Sequence, residues 1–148
     1  MCYKVIKRVE DIVFSLIILL IFSPILIFVS IVSILFQGWP VYYISKRMIG
    51  INNIISIIKF RTMVKDAKSD KYGLEKKYMK NGYLDIPLES EVYTPIGRIL
   101  EKTQIVEIPQ FFPVLFGKIS FVGNRPLPIK NIELLKIKYP ENWEGRFK

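Results

Sequence analysis

A chain of 148 residues has the length of one domain. Its apolar fraction of 51% comes with a net charge of +9, a pairing typical of the basic face of a membrane protein rather than of an ordinary soluble globule. With no histidine and a single cysteine, Cys2, it excludes Ser-His and Cys-His nucleophilic sites, the usual catalytic zinc sites and any internal disulfide. Acid–base or covalent chemistry must therefore fall on Asp, Glu, Lys, Tyr, Ser or the lone Cys.

The chain opens with a short charged segment carrying Lys4, Lys7, Arg8 and Asp11. Ile12 to Phe36 then runs for 25 residues without a charge. At about 1.5 Å per residue, such a helix could cross a hydrocarbon core of about 30 Å. Ser23 and Pro24 fall at its middle, where proline removes a backbone donor and predicts a kink or a break. Cations flank both ends, so the positive-inside rule sets no orientation. Both a kinked span and a hairpin that enters and leaves on one side fit. Physics alone ranks the kinked span a little higher, because proline kinks are common in spanning helices.

Gln37 to Lys65 holds Lys46, Arg47, Lys59, Arg61 and Lys65 and no acid. Such a block suits anionic lipid headgroups first and a phosphorylated ligand second. Trp39, Tyr42 and Tyr43 suit the headgroup level. Val41–Ile44 and Ile54–Phe60, joined by the turn-like MIGINN, predict a β-hairpin that delivers Lys59 and Arg61 at its end. Val64–Tyr93 is charge-balanced and predicts a solvated module with a helix near Leu74–Lys80 followed by loop.

Thr94-Pro95 is an N-cap followed by proline at the first helical position. Ile96, Ile99, Leu100 and Thr103 should share one face of this helix, with Arg98, Glu101 and Lys102 outward. A further helix is expected from Glu107, with Ile108, Phe111, Phe112 and Leu115 as an apolar stripe at i, i+3, i+4 and i+7. With Phe116, that stripe suits either a core or an amphipathic helix lying on a membrane. Ile119–Val122 reads as a short strand into the turn GNRP, and Asn131 as the cap of a last helix, Ile132–Lys138.

Taken together, these residues resemble the bacterial sugar transferases, the small monotopic phosphoglycosyl transferases. The resemblance rests on KR-x-x-D (Lys7, Arg8, Asp11), Ser23-Pro24, Arg47 and Gly50, and KFRTM at Lys59–Met63. It continues with TPIGRILEKT at Thr94–Thr103, Glu107, Pro109-Gln110 and SFVGNRP at Ser120–Pro126. It implies an α+β, mostly helical, monotopic membrane protein with a re-entrant helix-break-helix hairpin over 1–38, broken at Ser23-Pro24. Residues 39–148 would form a cytoplasmic-face transferase domain with a small β-hairpin and interfacial amphipathic helices.

The implied reaction moves a sugar-1-phosphate from a UDP-sugar to undecaprenyl phosphate at the cytoplasmic face of the bacterial inner membrane, starting a surface glycan. Implied partners are those two substrates, anionic lipids and further glycan-assembly glycosyltransferases; nucleic acid is not expected. The resemblance implies Glu107 as catalytic residue and as ligand of Mg²⁺. Lys59, Arg61, Arg98, Asn124 and Arg125 would meet the substrate.

Two departures stand out. The family places a nucleophilic Asp directly before the Glu, and this chain has Val106 there. The family also continues into a further basic segment, so the chain reads as C-terminally short. The second function carried by these departures is a non-catalytic relative that binds or scaffolds at the membrane.

Overall fold

The computed structural model describes residues 2–49, 53–67, 69–80, 83–124, 126–142 and 144, leaving aside the side chains of Cys2, Asp70, Tyr83 and Lys130. Gly50, Asn52 and Arg125 lie outside the described residues. The architecture mixes one long apolar helix, several short helices and a small antiparallel sheet.

Helix α1 spans Cys2–Gln37 and is long and apolar enough to cross a membrane. Only 17% of its most apolar stretch is buried within the molecule, so it is not the core helix of a globule. The helix continues through Pro24 without a break in its range. Proline leaves the Leu20 carbonyl without its usual i→i−4 partner, and the Ser23 hydroxyl donates to that carbonyl at 2.8 Å. Serine before proline thus repairs the gap that proline makes.

One stripe of α1 is buried, through Asp11, Ser15, Leu26, Val29 and Ser33. Their spacings of three, four and eleven residues keep them on one side of a 3.6-residue helix. Gly38, at φ +67°, turns the chain out of α1. The buried Arg61 then donates to the carbonyls of Gln37, Gly38 and Trp39. A cation at the negative end of a helix satisfies carbonyls the helix leaves open.

The expected hairpin is present and longer than its sequence signal. Strands β1 (Tyr42–Ile49) and β2 (Asn53–Phe60) pair antiparallel from Tyr42↔Phe60 to Ile49↔Asn53. The sequence reading ended the first strand at Ile44, because SKRM lacks β-branched residues. Pairing with β2 carries the strand on through Lys46, Arg47 and Met48. β5 (Leu127–Pro128) adds to the other side of β1, giving the order β2-β1-β5.

The segment after β2 has the expected helix, with short strands where loop was expected. It holds α2 (Leu74–Tyr78) and the two-residue strands β3 (Met79–Lys80) and β4 (Tyr83–Leu84). Ala67, Leu74 and Val92 form a small core of their own, backed by Tyr72, Tyr78 and Tyr93.

Helix α3 (Pro95–Lys102) starts as expected, with Thr94 Oγ1 accepting from the Gly97 amide at 3.0 Å. Its buried face differs from the expectation. Ile99 is 61% exposed, while Gly97 and Leu100 are buried. Gly97 lies against Thr62: a Cβ there would come within 1.9 Å of the Thr62 carbonyl oxygen. That close approach rotates the helix and turns Ile99 outward. Two residues read as outward instead make contacts: Arg98 donates to the Ser90 carbonyl, and Glu101 accepts from Thr62 Oγ1.

The main core gathers Leu26 and Val29 of α1, Val41, Phe60 of β2, Leu100 of α3 and Val106. The last helix, α5 (Ile129–Lys138), begins three residues before the expected start. Pro128, with its fixed φ, leads into it, so Asn131 lies inside the helix rather than capping it.

Candidate active site

The segment expected as one α-helix from Glu107 is a 3-10 helix, Ile105–Gln110, followed by the short helix α4, Phe111–Leu115. Pro109 and Pro113 explain this. Each lacks the amide that an α-helical ladder would need, and they fall four residues apart. A 3-10 helix has three residues per turn, so side chains at i and i+3 eclipse. The segment therefore has three faces. Val106 and Pro109 point into the core, Ile105 and Ile108 pack against its edge, and Glu107 and Gln110 line a cleft.

Val106 is 1% exposed, against Leu26, Val29, Val41, Phe60 and Leu100. The position where the family resemblance places a nucleophilic Asp is thus a core position in this chain. The membrane-facing stripe read from sequence shifts as well: Pro113 and Val114 are the buried residues of α4, and Phe112 and Phe116 are exposed.

The cleft holds about 600 Å³. Its walls come from Met48 and Ile49 of β1, Ile57 of β2, Glu107 and Gln110, and a loop through Ser120, Phe121 and Asn124. Glu107 Oε1 accepts from Lys59 Nζ at 2.8 Å, with both side chains partly exposed. Lys59 lies two residues beyond Ile57 on the same face of β2, so the strand places it beside Glu107.

The loop is not the strand expected over Ile119–Val122. Side chains of α1 hold it instead. The buried Asp11 carboxylate accepts from Ser120 Oγ and the Phe121 amide, each at 3.0 Å. Lys7 donates to the Val122 carbonyl at 2.9 Å. Arg8 donates to the Val114 and Leu115 carbonyls at 2.8 and 2.7 Å, closing the end of α4. Phe14 and Phe111 pack their rings on Phe121. The KR-x-x-D motif is a clamp: its three residues, with Phe14, lie on one side of α1 and hold one wall of the cleft.

Of the predicted site residues, Glu107 and the exposed Asn124 line this cleft, and Lys59 stands beside it on Glu107. Arg61 is placed at the end of α1, where burial pushes its guanidinium below its usual value. Arg98 is placed against Ser90. Arg125 lies outside the described residues. Sequence reasoning gave no site role to Gln110 or Ser120. Gln110 is recognisable only once the three-residue period is known, for it eclipses Glu107. Its Nε2 is buried without a protein partner.

The residues fit a protein-held Mg²⁺ poorly. Among the described residues, no three acids, cysteines or histidines come together. Val106 offers no donor, and Glu107, the one carboxylate among the described lining residues, has an oxygen held by an ammonium. Mg²⁺ seeks six oxygens in near-octahedral order and would stand beside that positive charge.

The fold joins one helix long and apolar enough to cross a membrane to a domain with a cleft acid beside a small basic hairpin. The chain matches the bacterial sugar transferase family over residues 2–147 and belongs to that family. It is 36% identical over 129 residues to a UDP-glucose:undecaprenyl-phosphate glucose-1-phosphate transferase of Klebsiella pneumoniae, covering 87% of this chain and 25% of that protein. It is 32% identical over 124 residues to a UDP-N-acetylgalactosamine-undecaprenyl-phosphate N-acetylgalactosaminephosphotransferase of Aeromonas hydrophila, covering 84% and 27%. A shorter relative, a putative undecaprenyl-phosphate N-acetylgalactosaminyl 1-phosphate transferase of Bacillus subtilis, is 34% identical over 124 residues, covering 84% and 63%. The chain spans about a quarter of the length of the first two.

Proposed function

We propose that this protein transfers a sugar-1-phosphate from a UDP-sugar to undecaprenyl phosphate, initiating a surface glycan. One observation carries the reading: within a chain that matches the family almost end to end, an acid and a cation, Glu107 and Lys59, meet beside a cleft whose loop wall is held by the apolar helix α1. In this reading α1 enters and leaves the cytoplasmic leaflet of the inner membrane by bending near Pro24. The exposed Phe112 and Phe116 meet lipid tails, and the basic block meets anionic headgroups.

Glu107 is the acting carboxylate. Its oxygen attacks the sugar-bearing phosphorus of the UDP-sugar. The bond from that phosphorus to the bridging oxygen breaks, and UMP departs with the electron pair. A phosphate oxygen of undecaprenyl phosphate then attacks the same phosphorus and frees the carboxylate. An anion attacks an anion only where charge is neutralised, and Lys59 supplies that charge. Arg125 is a further phosphate partner in this reading.

The test is UMP release from a panel of UDP-sugars by the full chain in lipid nanodiscs containing undecaprenyl phosphate. Release with one sugar donor is expected, falling by roughly 100-fold or more in Glu107→Gln. Absence of UMP with every donor overturns the catalytic reading. Release unchanged in Glu107→Gln removes Glu107 from it.

A further inference from the structure

We propose that Lys59, rather than a divalent cation, is the counter-charge for an anionic phosphate ligand in this cleft, and that it acts by changing partners: its ammonium leaves Glu107 for the ligand's phosphate. The inference rests on reading the cleft as a nucleotide-sugar site. It goes further in stating what neutralises the ligand, and how.

Three observations carry it. The first is the donor set. Val106 is buried in the core, so among the described residues Glu107 is the only acid lining the cleft, and one of its oxygens is already 2.8 Å from Lys59 Nζ. A divalent cation placed on that carboxylate would face the ammonium at close range and would have to displace it.

The second is the distribution of positive charge. Among the described lining residues there is no Lys or Arg: the cleft wall is apolar except for Glu107, Gln110, Ser120 and Asn124. Lys59 reaches the cleft through Glu107. Arg61 and Arg98 donate to backbone carbonyls elsewhere.

The third is the strength and mobility of the pair. Both side chains are partly exposed, 18% for Lys59 and 35% for Glu107, and exposed ion pairs are weak. A diphosphate offers Lys59 more charge than one carboxylate does. The lysine stem has four rotatable carbons, so its ammonium can swing while the strand stays fixed. Once Lys59 turns to phosphate, this contact of Glu107 is given up in the same event, and the carboxylate remains in the cleft lining. Gln110 lies on the same 3-10 face, its Nε2 still without a protein partner.

This arrangement gives an effect of opposite sign to that of a metal bridge. If Glu107 held a cation that in turn held the ligand, removing its charge would weaken ligand binding. If Glu107 competes with the ligand for Lys59, removing its charge strengthens binding.

The experiment is calorimetric titration of UDP into the full chain in nanodiscs of uncharged lipid, with 5 mM Mg²⁺ or with EDTA, roughly the usual excess over nucleotide. The proteins are the parent, Glu107→Gln, Lys59→Ala and Lys59→Arg. The parent is expected to bind UDP with affinities within about twofold in Mg²⁺ and in EDTA. Glu107→Gln, a near-isosteric change, should bind about two- to five-fold tighter, the size of a partly exposed ion pair. Lys59→Ala should weaken binding about tenfold or more, and Lys59→Arg should restore part of it. Since Lys59→Ala could fail to fold, Glu107→Gln is the deciding variant. Tenfold weaker binding in EDTA, or weaker binding by Glu107→Gln, overturns the inference and leaves the nucleotide-sugar reading in place. No binding by any of the four proteins overturns both.

Discussion

Val106 and Glu107 are neighbours in sequence with opposite surroundings. One is packed among Leu26, Val29, Val41, Phe60 and Leu100, and the other lines the cleft. A carboxylate at position 106 would be born in the core with no hydrogen-bond donor in the cluster around it. Burying such a group unpaired costs on the order of 3 kcal/mol. Val106→Asp is therefore expected to lower the unfolding midpoint markedly and to leave UMP release no higher than in the parent. Denaturant unfolding in detergent micelles, beside the UMP assay, checks both. A variant as stable as the parent and more active would show that residue 106 reaches the cleft after all.

Among the elements, Tyr93 ties the hairpin's exit to the charged module through its bridge with Met63. Burial, Glu101 and Asp85 together push its phenol up to about 12. Tyrosine in an unfolded chain loses its proton near pH 10. The stability that Tyr93 contributes is thus complete below about pH 10 and is lost as pH rises from there toward 12, because only the unfolded chain ionises in that window. The unfolding midpoint should fall across this range more steeply in the parent than in Tyr93→Phe. Equal slopes would mean that the phenol ionises alike in both states.

The elements also divide by how far sequence alone reveals them. The α3 cap was legible because Thr94-Pro95 acts locally: the hydroxyl needs only the amide three residues on. The hairpin was legible from its β-branched runs. The 3-10 period of Ile105–Gln110 was not, since apolar residues at 108, 111, 112 and 115 also satisfy a 3.6-residue repeat. What decides between them is Pro109 with Pro113, a pair of missing amides rather than a pattern of side chains. Arg61 and Arg98 show a related ambiguity. An arginine near a predicted site looks the same whether its donors meet phosphate or, as Arg61's do, the end of a helix placed beside it only by the fold. Ile99 faced the wrong way because the contact that orients α3, Gly97 on the Thr62 carbonyl, joins residues 35 apart.

Over the whole molecule, the cleft and the apolar helix are one construction. Lys7, Arg8, Asp11 and Phe14 lie on one side of α1 and together reach residues 114–122. The loop they hold has no strand to fix it, so its backbone groups depend on these side chains. Asp11 matters most: it is buried, and its one oxygen takes both a hydroxyl and an amide of the loop. Hydrogen bonds to a charged acceptor are worth about 1.5–3 kcal/mol, enough to set whether a short loop stays closed. Asp11→Asn keeps the shape and loses the charge. It should speed amide exchange over residues 119–124, most at Phe121, while α3 and the hairpin exchange as before. UMP release should fall about tenfold, because Ser120, Phe121 and Asn124 form the wall opposite the hairpin. Arg8→Lys, which exchanges a two-pronged donor for a single point charge, should loosen the end of α4 with a smaller loss of activity. Unchanged exchange at Phe121 in Asp11→Asn would mean that the loop stands without the helix, and that how α1 sits in lipid has no route to the cleft through this contact.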